Sequence, residues 1–305
     1  LEYVSCVEYS GDITINLNND IVIESAWTPV WFATVSSSDN IVIDGNEHSI
    51  SGLTAPFLAG GTKLQWGQEA LEIRNLTIKN SPNMVCTDNI TGNGAFIECV
   101  AGMRSLTMTN CHLVNVSLCS ETDIVNGKKE GPRTGGLIGW TSAGIDTAGE
   151  RVPTTICVAS CTVDSSTIVG YGTVGGIIGH AGYNDCVTHQ ISDCAVSGNT
   201  LVSTESPYKG VGPILGTANI GKVVINNCSG NNVEIVPEGC ETDNSTELLY
   251  GRFVPGDTGS LYIDGTEILV PVVTPVVVAP TQGETTGVTD TTGATGTTGA
   301  TDTTG

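Results

Sequence analysis

Cys111, Cys161, Cys194 and Cys228 each follow an Asn, Ser or Asp at the same point of a recurring pattern, so stacked repeats would set their thiols in a row. A row of thiols has three chemistries open to it. It can cross-link neighbouring repeats as disulfides, among themselves or to Cys99, Cys119, Cys157 and Cys186. It can line an interior as a ladder of small apolar side chains, or it can hold a metal. The chain has 11 cysteines, an odd number, so one thiol stays free or pairs with another chain. Zinc is not expected, because no Cys-x-x-Cys occurs and His48, His112, His180 and His189 are scattered without ligand spacing.

A second chemistry is modification. Five Asn-x-Ser/Thr acceptors stand at Asn75, Asn89, Asn115, Asn227 and Asn244. Together with the cysteines they point to an oxidising, extracellular or cell-surface setting. At each acceptor the alternative is an unused asparagine whose side chain caps a turn. Asn75 and Asn227 both sit just before the corner position of their repeats, so glycans there would leave one edge of the molecule.

The elements that position these residues are short and regular. "TMTNCHLVNVSL" (107–118), "CVASCTVDSSTIV" (157–169), "QISDCAVSGNTLV" (190–202) and "VINNCSGNNVEIV" (224–236) share one design: an alternating strand, a polar residue before Cys, a second strand. "LEIRNLTIKN" (71–80) fits with Leu76 in place of Cys, and "IVIDGNEHSI" (41–50) and "LYIDGTEILV" (261–270) read as outer versions with Asp-Gly at the corner. A second motif precedes each of three corners: "TGGLIGW" (134–140), "VGGIIGH" (174–180) and "VGPILGT" (211–217), with "GNGAFIE" (92–98) a degenerate fourth. Such strands cannot bury an apolar face alone, and stacking supplies the partner. The pattern therefore predicts an all-β, single-stranded parallel β-helix over residues 1–265, roughly 40 Å long at about 4.8 Å per strand. The segments 120–133 and 141–154 read as loops.

The "GGLIG" and "GGIIG" stretches resemble the GLUG motif, a repeated element of large surface and adhesin-type proteins. "VSSSDNIVIDGNEHSISG" (35–52) is similar to the opening turns of pectate-lyase-like β-helices. Together the similarities span about residues 10–270, and they imply a right-handed coil. They say little of function, because the architecture hosts lyases, hydrolases, adhesins and inert scaffolds. His180 in "GHAG" resembles the Gly-His-Gly of polygalacturonase-type hydrolases, yet the paired aspartates those enzymes use are missing. Lys128, Lys129, Arg133 and Arg151 lie around the 120–153 insertion, the best place for a lyase base. The acidic residues are spread singly, so the expectation is a protein without catalytic activity and without a cofactor, with Ca2+ the one ion left to test against the acidic loops.

A formal charge of -21 disfavours nucleic acid and anionic lipid surfaces, and no stretch is long enough to insert in a membrane. The numbering is read as starting at a mature N-terminus, and the repeat at Gly305 as running on. After the body, residues 266–282 form an apolar run broken by Pro271, Pro275 and Pro280. Proline keeps this run out of a central strand. Ile268, Val270, Val272, Val273, Val276 and Val278 are the expected assembly contacts to a neighbouring subunit, with a fold-back cap as the alternative. Residues 283–305 place a threonine at every third position, Thr286, Thr289, Thr292, Thr295, Thr298, Thr301 and Thr304. Asp290 and Asp302 stand where collagen requires Gly, so the reading is an extended O-glycosylated stalk. The whole is expected to be a secreted, glycosylated structural protein forming a filament or surface coat, with covalent glycans and further copies of itself as partners. An adhesin displaying the 120–153 loops is the alternative.

Overall fold

The computed structural model describes residues 11–30, 40–60, 70–86, 92–120, 123–125, 128–130, 133–144, 149–182, 185–204, 210–236, 249–254, 256 and 258–269. Among these the protein is all-β, built mainly of parallel strands, with no helix long and apolar enough to cross a membrane. The stalk threonines and Val270, Val272, Val273, Val276 and Val278 lie outside the described residues, as do Asn89 and Asn244.

One column carries the register. Ile13–Asn16, Asn40–Asp44, the first part of Ala70–Cys86, the first part of Ser105–Ser120, Thr154–Ala159, Val187–Ser192, Lys222–Asn226 and Ser260–Ile263 pair in parallel, each with the strand one repeat on. Successive side chains on a strand point to opposite faces, so every second residue enters the interior. In-register stacking turns these into continuous rows. Ile43, Ile73, Met108, Val158, Ile191 and Ile225 form one, and all are almost fully buried. Each such side chain contributes about 1.5–3 kcal/mol by leaving water.

Corners are made by left-handed residues. Asn75, Asn110, Ser160, Asp193, Asn227 and Asp264 all have φ between 47° and 54° and stack on one another. Asn80, Asn115, Ser165, Gly198 and Asn232 form a second ridge five residues later, with φ between 49° and 61°. Asn, Asp and Gly tolerate this conformation best. Asn110→Ala is therefore expected to cost about 2–3 kcal/mol, the left-handed strain plus the lost side-chain bonds, and Asn110→Gly only about 1 kcal/mol. Urea midpoints of the two variants check this; equal losses would show that backbone strain is not what selects asparagine.

The Gly-rich motif forms a wedge. Gly92–Gly94, Arg133–Gly135, Val174–Gly175 and Val211–Gly212 stack as one parallel sheet; Ile97–Ala101, Ile138–Ser142, Ile178–Ala181, Leu215–Ala218 and Tyr250–Phe253 stack as another. Between them the chain reverses within two residues, and the tips Phe96, Leu137, Ile177 and Ile214 plug the interior at 0% exposure. The glycines allow the two arms to touch through backbone. A Cβ on Gly135 would lie 2.0 Å from Ile138 O, and one on Gly139 2.0 Å from Asn93 N.

Two expectations change here. The 120–133 segment is not plain loop: Asp123–Val125 and Lys128–Glu130 pair as an antiparallel hairpin. "LYIDGTEILV" keeps the corner, with Asp264 in line with Asn227, but no second repeat strand follows it. Ser260–Ile263 turns at Asp264–Gly265, with φ 47° and 78°, into Thr266–Glu267, which pairs antiparallel on its outer edge. Asp-Gly with both φ positive is the two-residue hairpin turn, so the last strand is capped by its own chain.

Candidate functional site

The first corner ridge carries Asn75 and Asn227, and the four ladder cysteines follow it by one residue. Asn75 Nδ2 donates to Asp44 Oδ1 (3.1 Å), Asn110 Nδ2 to Asn75 Oδ1 (3.1 Å), and Asn227 Nδ2 to Asp193 Oδ1 (2.7 Å). On the second ridge Asn115 Nδ2 donates to Asn80 Oδ1 (2.8 Å). The three described glycan acceptors, Asn75, Asn115 and Asn227, thus spend the amide nitrogen that would carry a sugar on a bond to the preceding repeat. A glycan replaces one of the two amide hydrogens and leaves one for the ladder. Asp44 anchors the ridge: its carboxylate takes Asn46 N–H, Arg74 Nε at 2.7 Å and Asn75 Nδ2. Burial raises its pKa, but those donors outweigh it and hold the group below the usual carboxylate value.

One residue after the first ridge the chain points inward, and there the cysteines stand. Cys111, Cys161, Cys194 and Cys228 occupy successive repeats in register, with Leu76 before them. They are thiols, not disulfides. Each Sγ lies within reach of two carbonyls: Cys161 of Ala159 O (3.2 Å) and Met108 O (3.7 Å), Cys194 of Ser192 O (3.2 Å) and Val158 O (3.7 Å), Cys228 of Asn226 O (3.3 Å) and Ile191 O (3.7 Å). The hydrogen bond each thiol donates to the preceding ladder thiol, with burial behind it, pushes Cys161 and Cys194 up to about 12 and raises Cys228 as well. These three are protonated at neutral pH. Cys99, Cys119 and Cys157 belong to other columns, in register with Trp140, Val85 and Thr107, so none stands beside the ladder.

The candidate catalytic residues do not assemble into one group. His180 is 7% exposed and in register between Trp140 and Thr217. Arg133 stacks its guanidinium 6.0 Å from the Trp140 ring. Lys128 and Lys129 lie in the hairpin, and Arg151 is exposed just before the next repeat. No set of three or more His, Cys, Asp or Glu among the described residues converges as a metal centre. Of the assembly residues, Ile268 is described: its N–H donates to Leu261 O at 2.8 Å, so the run begins by folding back on its own last strand.

Sequence reasoning missed one interior feature. His189, at 0% exposure, replaces an aliphatic residue in the row of Leu106, Ile156 and Val223, and bonds Thr141 Oγ1 at 2.7 Å. Its neighbours come from other repeats, so nothing local in the sequence marks it.

No family model and no curated protein matches this chain. Among solved structures it is similar to a crystal structure from Bacteroides ovatus, provisionally named an immunoglobulin A1 protease, at 13% identity and a TM-score of 0.42, over 82% of this chain and 77% of the other. The expectation of a protein without catalytic activity is withdrawn in view of that name, since a fold does not decide whether its loops bear a site. A TM-score this low assigns no protease chemistry to the present chain.

Proposed function

We propose that the stacked repeats close into a single-stranded, right-handed parallel β-helix, and that the chain is a secreted, glycosylated structural protein that assembles with copies of itself into an extracellular filament or surface coat. One observation carries this reading. Among the described residues the large apolar side chains that stand exposed are Ile21 (40%), Val22 (68%) and Leu269 (78%), and all three lie in the first or last repeat. Exposed apolar surface marks interaction sites, and apolar surface confined to the two ends of a stack suits end association. The GLUG-like motif, the acceptor sequons and the threonine-rich stalk support the surface setting.

Electron microscopy of the native protein, with intact-mass analysis, tests it. Ordered fibres and a subunit mass above the bare 31.4 kDa are expected. Truncation after Val270 keeps the capping hairpin and removes the Val/Pro run and stalk, and is expected to abolish or shorten the fibres. Isolated particles at the bare mass would overturn the proposal. The adhesin reading draws support from the antiparallel hairpin inside the 120–153 insertion. Single particles whose carbohydrate binding is lost on removing residues 121–132 would put it first.

A further inference from the structure

We propose that residues 271–279 of one copy add a strand to the open edge Ile13–Asn16 of a second copy, and that this one junction builds the fibre head to tail. The proposal rests on the assembly reading and names its contact. The acceptor is an unpaired strand edge. Ile13–Asn16 pairs on one side with Asn40–Asp44, and Ile21–Val22 with Ser49–Ser51; among the described residues the other side of each has no strand partner. Leu17 N–H donates to Asp44 O, so by alternation the backbone groups of Ile13 and Ile15 point into the stack and those of Thr14 and Asn16 point out of it. Thr14 and Asn16 are exposed, and Ile13 and Ile15 beside them are half-buried. The last strand of the same column differs, because Thr266–Glu267 covers its outer edge.

The donor is selected by its prolines. In a strand the N–H groups of alternate residues leave opposite edges. Pro271 and Pro275 both remove donors from the edge of odd-numbered residues, whereas Val272, Thr274, Val276 and Val278 leave the even edge complete until Pro280 ends it. Such a strand pairs on one side only, as an edge strand that must not propagate requires. Length excludes the chain's own open edge. Eight strands stack in the first column, and seven steps of about 4.8 Å set its ends about 34 Å apart. From Leu269, just past the capping hairpin, a fully extended chain reaches at most about 32 Å by Val278, so residues 272–278 cannot lie along their own first strand. A second copy supplies the edge. Donor and acceptor are different surfaces, so the contact is heterologous, and its end-to-end repetition gives an open filament.

Electron microscopy and native mass spectrometry of full-length variants test the junction. Val276→Pro removes a donor from the complete edge, while Val273→Pro puts a third proline on the edge that already lacks two donors. Fibres are expected from the parent and from Val273→Pro, and none from Val276→Pro. Thr14→Pro removes an outward N–H of the acceptor and keeps the bonds that Ile13 and Ile15 make to Asn40–Asp44. Alone it is expected to be monomeric, like Val276→Pro. Mixed, the two should form a one-to-one dimer and stop there, because one brings an intact strand and the other an intact edge. Fibres from Val276→Pro, or equal loss of fibres in both valine variants, overturns the junction and leaves assembly to another contact. A parent without fibres overturns the assembly reading and the junction with it. Val276 lies beyond the compact unit Leu1–Val270, so the valine pair decides the matter even if Thr14→Pro fails to fold.

Discussion

Gly175→Ala is expected to destabilise the fold by more than about 4 kcal/mol, enough to leave little soluble native protein. The added Cβ would lie 1.9 Å from Ile178 O in its own wedge and 2.7 Å from Gly216 N in the next repeat. Both atoms are backbone, so no side chain can swing away. Relief requires the wedge arms to part, and the arms are fixed by bonds to neighbouring repeats, among them Gly136 N to Gly175 O (3.0 Å) and Gly176 N to Gly212 O (3.2 Å). Strain in one repeat is therefore passed to the repeats on either side. Gly149→Ala is the control. Its Cβ would meet nothing within 4 Å, and its φ of +84° limits the expected cost to about 1–2 kcal/mol. Urea unfolding followed by circular dichroism separates the two; a Gly175→Ala protein within 1 kcal/mol of the parent would mean that the arms are not in backbone contact in solution.

That wedge shows how far the sequence could be read. The Gly-Gly-x-x-Gly recurrence is visible in the chain, and so is the residue pair that turns the first corner, because Asn, Ser or Asp before an inward Cys interrupts an alternating strand at a fixed place. What recurrence cannot show is which backbones touch: Gly139 is glycine because Asn93, 46 residues earlier, lies against it. The second ridge was present as Asn80, Asn115, Ser165, Gly198 and Asn232, but the residues that follow it, Ser81, Val116, Ser166, Asn199 and Val233, share no type that would draw attention to it. Both hairpins carried a local signal, Asn126-Gly127 and Asp264-Gly265, that is stronger than any repeat argument. The second is both at once: Asp264 continues the corner ridge and, with Gly265, turns the chain back on its last strand. The thiols of the ladder required the structure, since cysteines one strand apart satisfy the Cα spacing of a disulfide whether or not their sulfurs meet.

Below about pH 6.5 the protein is expected to lose stability, mainly through one buried imidazole. Burial of His189 among aliphatic side chains lowers its pKa to about 4, with a backbone contact from Lys222 opposing the shift. An unfolded histidine binds its proton near 6.5 and the folded one near 4, so between these values the unfolded state holds more protons and falling pH favours it. The full loss is about 3 kcal/mol, complete below pH 4, and about 2 kcal/mol of it is reached at pH 5. His112, lowered by burial against the pull of Glu47, adds to the loss with the same sign. Asp20 and Asp44 act elsewhere. Their pKa values lie below 3.8, so the stability they confer is lost only under more acid conditions. His189→Leu isolates the effect. Leucine restores the aliphatic row of Leu106, Ile156 and Val223, and Thr141 Oγ1 keeps the Gly182 N–H at 3.0 Å and reaches His180 O at 3.4 Å. Urea midpoints at pH 7.5 and 5 should differ much less in His189→Leu than in the parent. An unchanged difference would mean that His189 reaches water in the folded protein, and that the interior is open where the structure shows it closed.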